Sequence, residues 1–236
     1  MGRLFIPTAG PSDWRRLLAD SMRQWRPEKS GYEAAVSWEA ARGTPRGLPP
    51  KVAEVLDGHE EFRNASLLLG IPEHQVPLDG GGHASQTDLW ALLATPGEIV
   101  SAAVEAKAGE PFDRSTAKWI SEAPARSGKP ARLTQLCQVL GIEREAALSC
   151  SYQLLHRPVA AILEAQRFRL RRALFMVQAF GENKASFIQY ERWARLLGVD
   201  ATQNTVHCLR SCIGVELWTA WICAQPAEPA IIRAAV

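Results

Sequence analysis

A chain of 236 residues with 47% hydrophobic and 22% charged residues has the composition of a globular protein that can bury a large core. A formal net charge of +2 excludes a strong whole-molecule field, so any contact with nucleic acid must come from local basic patches. The longest apolar runs, such as Ala173–Val177 and Leu217–Ala224, fall far short of the ~20 residues a membrane span needs, which excludes a membrane partner. The arginine-rich start has no apolar stretch ending in a cleavage site, and the five cysteines are few and odd in number. Both features lead us to expect reduced thiols in a cytoplasmic protein.

The segment 11–26 has Ser12 as a helix cap and Trp14, Leu17, Leu18, Met22 and Trp25 at helical spacing, and predicts a first helix. A second is expected over Tyr32–Ala41, followed by a Gly/Pro-rich connector over Gly43–Pro50. Lys51–Leu69 reads as a longer helix stopped by Gly70. The period then changes. Residues 73–78 read as a short extended segment, Asp79–Gly82 as a turn, Thr87–Ala94 as a buried strand and Ile99–Lys107 as another. Helical patterning returns over Ser115–Ile120, over Arg132–Leu140 with Gly141 as its stop, and from Glu143 or Ala146 through Arg167. Arg172–Phe180 predicts a buried strand, Lys184–Leu197 a helix ending at Gly198, and Val215–Ala224 a last strand.

Within this order, Asp88 opens one strand and Glu105 and Lys107 close the next. Side chains alternate along a strand, so Glu105 and Lys107 leave the same face. If the two strands pair antiparallel, Asp88 lies beside Glu105. Two carboxylates then meet with a lysine next to them. Hard divalent cations take oxygen ligands of this kind, and the lysine supplies a positive group beside a phosphate under attack.

The stretches Ser85–Trp90 and Val104–Lys107, set in an αβββαβ order, resemble the PD-(D/E)XK nuclease superfamily. That resemblance implies an α/β restriction-endonuclease-like core with a mixed central sheet flanked by helices. It implies Asp88, Glu105 and the Ala106 carbonyl as ligands of Mg2+, for which Mn2+ may substitute, and Lys107 as catalytic base or electrostatic stabiliser. Thr87 stands where the pattern has Pro. Relatives carry a Gln-containing motif on the helix after the third strand, which points to Gln153, with His156 and Arg157 one turn on. They also place a Glu on the first core helix, for which Glu54, Glu60 and Glu61 are the candidates. The chain then divides as a single domain: an N-terminal helical extension over 1–50, the core over 51–180, and a C-terminal helix and edge strand over 181–236.

The expected activity is metal-dependent phosphodiester hydrolysis, with DNA favoured over RNA as partner. The alternative is a catalytically inactive nuclease fold that binds nucleic acid or protein. Oligomeric state is left open, a homodimer included. The run of Arg167, Arg169, Arg171 and Arg172 fits phosphate tracking and a solvated helix end equally well. His207, Cys208 and Cys212 lack a fourth ligand and read as no zinc site.

Overall fold

The computed structural model describes residues 8–18, 22 and 25–226. Its centre is a six-stranded mixed sheet in the order β1-β2-β3-β4-β6-β5, made of β1 (Ser66–Val76), β2 (Ser85–Ala94), β3 (Ile99–Lys107), β4 (Arg172–Phe180), β5 (Val206–Cys212) and β6 (Val215–Ala224). β1, β2 and β3 form an antiparallel meander, β3, β4 and β6 run parallel, and β5 returns antiparallel to β6. Helices α1 (Ser30–Ala40) and α2 (Pro50–Asp57) cover one face. Helices α3 (Thr116–Ser121), α4 (Lys129–Leu140), α5 (Arg144–Ser149), α6 (Gln153–Arg167) and α7 (Lys184–Leu196) follow β3 and β4 and cover the other.

Alternation along the strands sends side chains to two separate cores. Val100, Ala102, Val104 and Ala106 of β3 pack with Trp38, Val52 and Leu56 of the first layer, whereas Ala103 packs with Leu154, Leu155 and Ile162 of α6. Both faces are buried, as expected for parallel central strands. No helix among the described residues is long and apolar enough to cross a membrane.

Four expected elements take a different form. Pro11–Leu17 is a 3-10 helix, and residues 19–21, 23 and 24 lie outside the described ones. The helix expected over Lys51–Leu69 ends at Asp57. There the Asp57 carboxylate accepts two bonds from Arg46 (2.6 and 2.9 Å) and the Asn64 N–H (2.9 Å), and Asn64 turns the chain at φ 60°. The apolar run Leu67–Leu69 becomes β1, and Gly70 lies within that strand. Runs this short cannot be told from helix by period alone.

The helix expected from residue 143 or 146 through Arg167 is broken into α5 and α6. Residues 150–152 leave it to bond the chain at 114–116, through Thr116 N–H to the Cys150 carbonyl and Tyr152 N–H to the Arg114 carbonyl. Finally, Val215–Ala224 is an inner strand rather than an edge, because β5 covers it. β5 is buried only at its two ends, Val206 and Cys212, with a register shift between Cys208 and Arg210, as a half-exposed edge strand allows.

Candidate functional site

One polar tie sets the position of α6 on the sheet. Ser101 Oγ of β3 receives the Trp90 Nε1–H and donates to the Ala161 carbonyl, both at 2.9 Å, in a fully buried position. From there α6 runs against β3. Glu105 therefore meets Arg157, and Lys107 meets Gln153. The ends of β2 and β3 and the start of α6 enclose a cavity of about 480 Å³ lined by Glu73, Asp88, Glu105, Lys107, Gln153 and Arg157, among others.

The carboxylates form a row across three strands. Leu89 pairs with Val104, which puts Asp88 next in register to Glu105. Pro72 pairs with Leu89 and His74 with Thr87, which puts Glu73 opposite Asp88 on the other side. Cross-strand neighbours lie about 4.5–5.5 Å apart at Cβ, and like charges there are destabilising. Glu73 is held in this row at φ 53°, a left-handed conformation that costs a non-glycine residue about 1–3 kcal/mol. The β2–β3 ladder stops at Leu89–Val104, and Asp88 Oδ2 accepts the Ala106 N–H at 2.6 Å beyond it.

Two cations answer the row. Lys107 Nζ donates to Glu105 Oε1 at 2.6 Å, and Arg157 Nε lies 2.7 Å from Glu105 Oε2 without hydrogen-bond alignment. Gln153 Oε1 accepts from Lys107 Nζ at 3.2 Å and from the Asp113 N–H at 2.9 Å, and Lys107 sits 4.7 Å above the Phe112 ring. Gln86 donates to Glu73 Oε2 at 2.7 Å, while Glu73 Oε1 is buried without a hydrogen-bond partner.

The electrostatics follow from this placement. Burial, and then the Glu105 charge, push the Asp88 carboxyl up to about 7. Burial, and then Asp88, hold Glu73 well above the carboxylate range. Burial works to raise Glu105 too, but Arg157 and Lys107 outweigh it and its carboxyl is lowered. Glu105, at one end of the row, is thus ionised and paired, while Asp88 in the middle and Glu73 beyond it resist ionisation because no cation among the described residues pairs with them directly.

Asp88, Glu105, Lys107 and Gln153 therefore come together as the sequence predicts, and Arg157 joins them. His156 does not. It is buried, bonds Ser85 Oγ at 2.7 Å through Nδ1 and packs tilted against the Tyr152 ring. The three helix glutamates are elsewhere. Glu54 pairs with Lys51, Glu61 pairs with Arg172, and Glu60 lies in a 3-10 turn, none of them lining the cavity. The further acidic residue that lines the cavity is Glu73 of β1, which sequence reasoning missed. Its signal was the hairpin register, since extending β1 back through residue 73 sets Glu73 against Asp88.

The other candidates have structural roles. Arg172 lies at the opposite end of the sheet, bonded to Glu61 and Glu216 and paired with Glu98. Trp14 is fully buried, with its Nε1–H on Glu39. His207 Nε2 accepts the Thr202 N–H, and Cys208 and Cys212 are free thiols. No group of three or more His, Cys, Asp or Glu side chains among the described residues is poised to hold a metal ion, since Glu105 is closed on its two cations.

Fold and site together define an α/β protein with an acidic cavity at the carboxyl ends of its central parallel strands, where open α/β sheets bind their ligands. The chain belongs to the family described as Domain of unknown function (DUF6946), whose model matches residues 7–226. No curated protein and no solved structure matches it.

Proposed function

We propose that this protein is a divalent-cation-dependent phosphodiesterase of the PD-(D/E)XK type, acting on DNA in preference to RNA. The observation that carries the reading is the row Glu73–Asp88–Glu105 with Lys107 beside it, in a cavity large enough for a phosphate and its sugar. The order α2–β1–β2–β3–α6–β4, with α3, α4 and α5 inserted between β3 and α6, supports the restriction-endonuclease-like arrangement, and the Gln153–Lys107 bond supports a role for the glutamine motif.

The residues fit a hard cation such as Mg2+ or Mn2+. All the free donors are oxygens, Glu73 Oε1 is buried without a partner, and the raised Asp88 and Glu73 carboxyls mark a negative charge that a cation would relieve. Asp88 and Glu105, with the Ala106 carbonyl, would hold it once Glu105 exchanged a contact with Lys107 or Arg157 for the cation, and Glu73 is an added acidic neighbour. The cation supplies a bound water of lowered pKa and charge neutralisation at the phosphate. Lys107, its charge committed to Glu105, is suited to stabilising a phosphate oxygen rather than to taking a proton. Gln153 positions that ammonium. Arg157 presents Nη1, buried and without a partner, as a donor to a second phosphate oxygen.

The test is Mn2+ titration by calorimetry alongside turnover of single-stranded, double-stranded and branched DNA. Wild type is expected to bind and to cut, Asp88→Asn to lose both, and Lys107→Ala to keep binding while turnover falls. Protein that neither binds Mn2+ nor cuts overturns the reading. The scaffold alternative is favoured by one observation, the closure of both Glu105 oxygens on Lys107 and Arg157, and wild type that binds DNA and Mn2+ yet cuts nothing decides for it.

A further inference from the structure

Beside the acidic cavity, across Gln86 and Arg157, lies a second cavity of about 380 Å³. Its charge is opposite. Lys129, Arg132, Arg157, His83 and His156 line it together with Trp119, and no Asp or Glu among the described residues does. Arg132 is already spent on structure, since it donates to the carbonyls of Asp79, Gly81 and His83 and so straps the β1–β2 loop to α4. Lys129 is not. Its ammonium gives one hydrogen to the Trp119 carbonyl at 2.6 Å and lies 5.1 Å from the ring centre, leaving two donors.

Arg157 stands between the cavities, with Nε at Glu105 and a buried, unpartnered Nη1. A buried guanidinium nitrogen without an acceptor is costly, and an arriving anion supplies the acceptor it lacks. The α4 amino terminus borders the same space at Gly128 and Lys129, its first N–H bonded to Ser127 Oγ at 3.2 Å, and adds the positive end of a twelve-residue helix. The field registers on His156, held well below the usual imidazole value by burial and then by Arg157 and Arg132.

We propose that this basic cavity holds a phosphate of the nucleic-acid strand, next along the backbone from the one at the carboxylates, gripped by Lys129 and Arg157 over the α4 amino terminus. The assignment rests on the nuclease reading for its choice of nucleic acid as the carrier of the phosphate. It gives the two cavities different tasks, chemistry in the acidic one and register in the basic one. Arg157 ties them together, because a phosphate drawn to Nη1 competes with Glu105 for the same guanidinium.

The test is fluorescence anisotropy of a labelled DNA duplex and its single strand on the full chain, in EDTA so that nothing is cut, over a series of salt concentrations. Lys129→Ala is expected to weaken binding roughly eightfold at 0.1 M salt and to lower the salt slope by about one, as loss of one phosphate contact does. Lys129→Arg is expected to stay within about twofold of wild type, and so is Arg171→Ala, which removes an exposed charge at the far end of the sheet. Wild type that cuts DNA while Lys129→Ala binds it as tightly overturns the phosphate site and leaves the nuclease reading standing. Lys129→Ala that binds weakly while wild type cuts nothing with Mg2+ or Mn2+ supports the site and sinks the nuclease. Wild type that binds neither DNA form overturns the assignment, a phosphorylated peptide being the next anion to try.

Discussion

The two ends of the sheet use the same ingredients to opposite effect. At the amino-terminal end of β4, Arg172 gathers three carboxylates, bonding Glu61 at 2.7 Å and Glu216 at 2.9 Å, with Glu98 also 2.9 Å away. Glu61 and Glu216 are 40% and 50% exposed, so their charge stays solvated when it is not paired. At the carboxyl-terminal ends of β3 and β4, Glu105 gathers two cations while two further carboxylates stand beside it half-buried and unbalanced. The first cluster closes on itself and locks strand ends together. The second keeps two carboxyls whose ionisation is disfavoured, enclosed in a cavity, and strained backbone at Glu73 maintains them. Unpaired acidic groups kept at a cost separate a site from a staple.

The contrast is broken most directly by neutralising one paired carboxylate at each end. Glu105→Gln leaves Lys107 and Arg157 buried without a countercharge, so a loss on the order of 3–5 kcal/mol in urea unfolding is expected, together with loss of cleavage. Glu216→Gln at the other end should cost no more than about 1 kcal/mol. Equal losses would make both clusters structural.

Asp88→Asn sharpens it with a change of sign. Folding raises this carboxyl from 3.8 to about 7, so between those values the folded chain holds a proton the unfolded chain has shed. The stability this lends is complete below 3.8 and is lost as pH rises through 7. Asparagine removes that decline and can still accept the Ala106 N–H. The metal-free variant should therefore melt several degrees above wild type at pH 8, at about 2–4 °C per kcal/mol, and show no gain at pH 4, while cutting nothing. Parallel melting profiles for the two proteins would remove the electrostatic argument for the site.

Lys107→Ala is expected to lower turnover by about 10²–10³-fold with the Mn2+ heat retained, read from the paired calorimetric and turnover assays. The smallest effect is expected from Lys51→Ala, which opens an exposed helical pair with Glu54 and should change stability by less than about 0.5 kcal/mol in thermal unfolding.

Much of this site was legible before any coordinates. β2, β3, β4 and β6 lie where apolar runs bounded by turn residues put them, and their alternation places Glu105 and Lys107 on the α6 face. Gln153 was legible only through the glutamine motif that the resemblance implies on a helix between β3 and β4. What escaped depended on contacts distant in sequence. Nothing local tells Leu67–Leu69 to leave the helix; the Arg46–Asp57–Asn64 cluster does that. Nothing local breaks the chain at Cys150–Tyr152, which is drawn off by backbone partners at 114–116. Glu73 escaped for the first of these reasons, since a strand read as starting at residue 73 hides the pairing that sets it against Asp88.

The loop that joins β1 to β2 rests on α4 through two glycines set back to back. A Cβ on Gly80 would meet the Gly128 carbonyl oxygen at 2.0 Å, and one on Gly128 would meet that of Gly80 at 1.8 Å. Each residue lacks a side chain because the other's backbone fills the space, and at Gly80 a φ of +80° adds a second reason. Such a pair cannot drift one step at a time. Any single replacement forces the loop off the helix, and with it the wall of the basic cavity. Across the DUF6946 family the two positions should therefore be glycine together or change together, with a longer loop or a displaced α4 wherever they have changed. Their history would be written as one event.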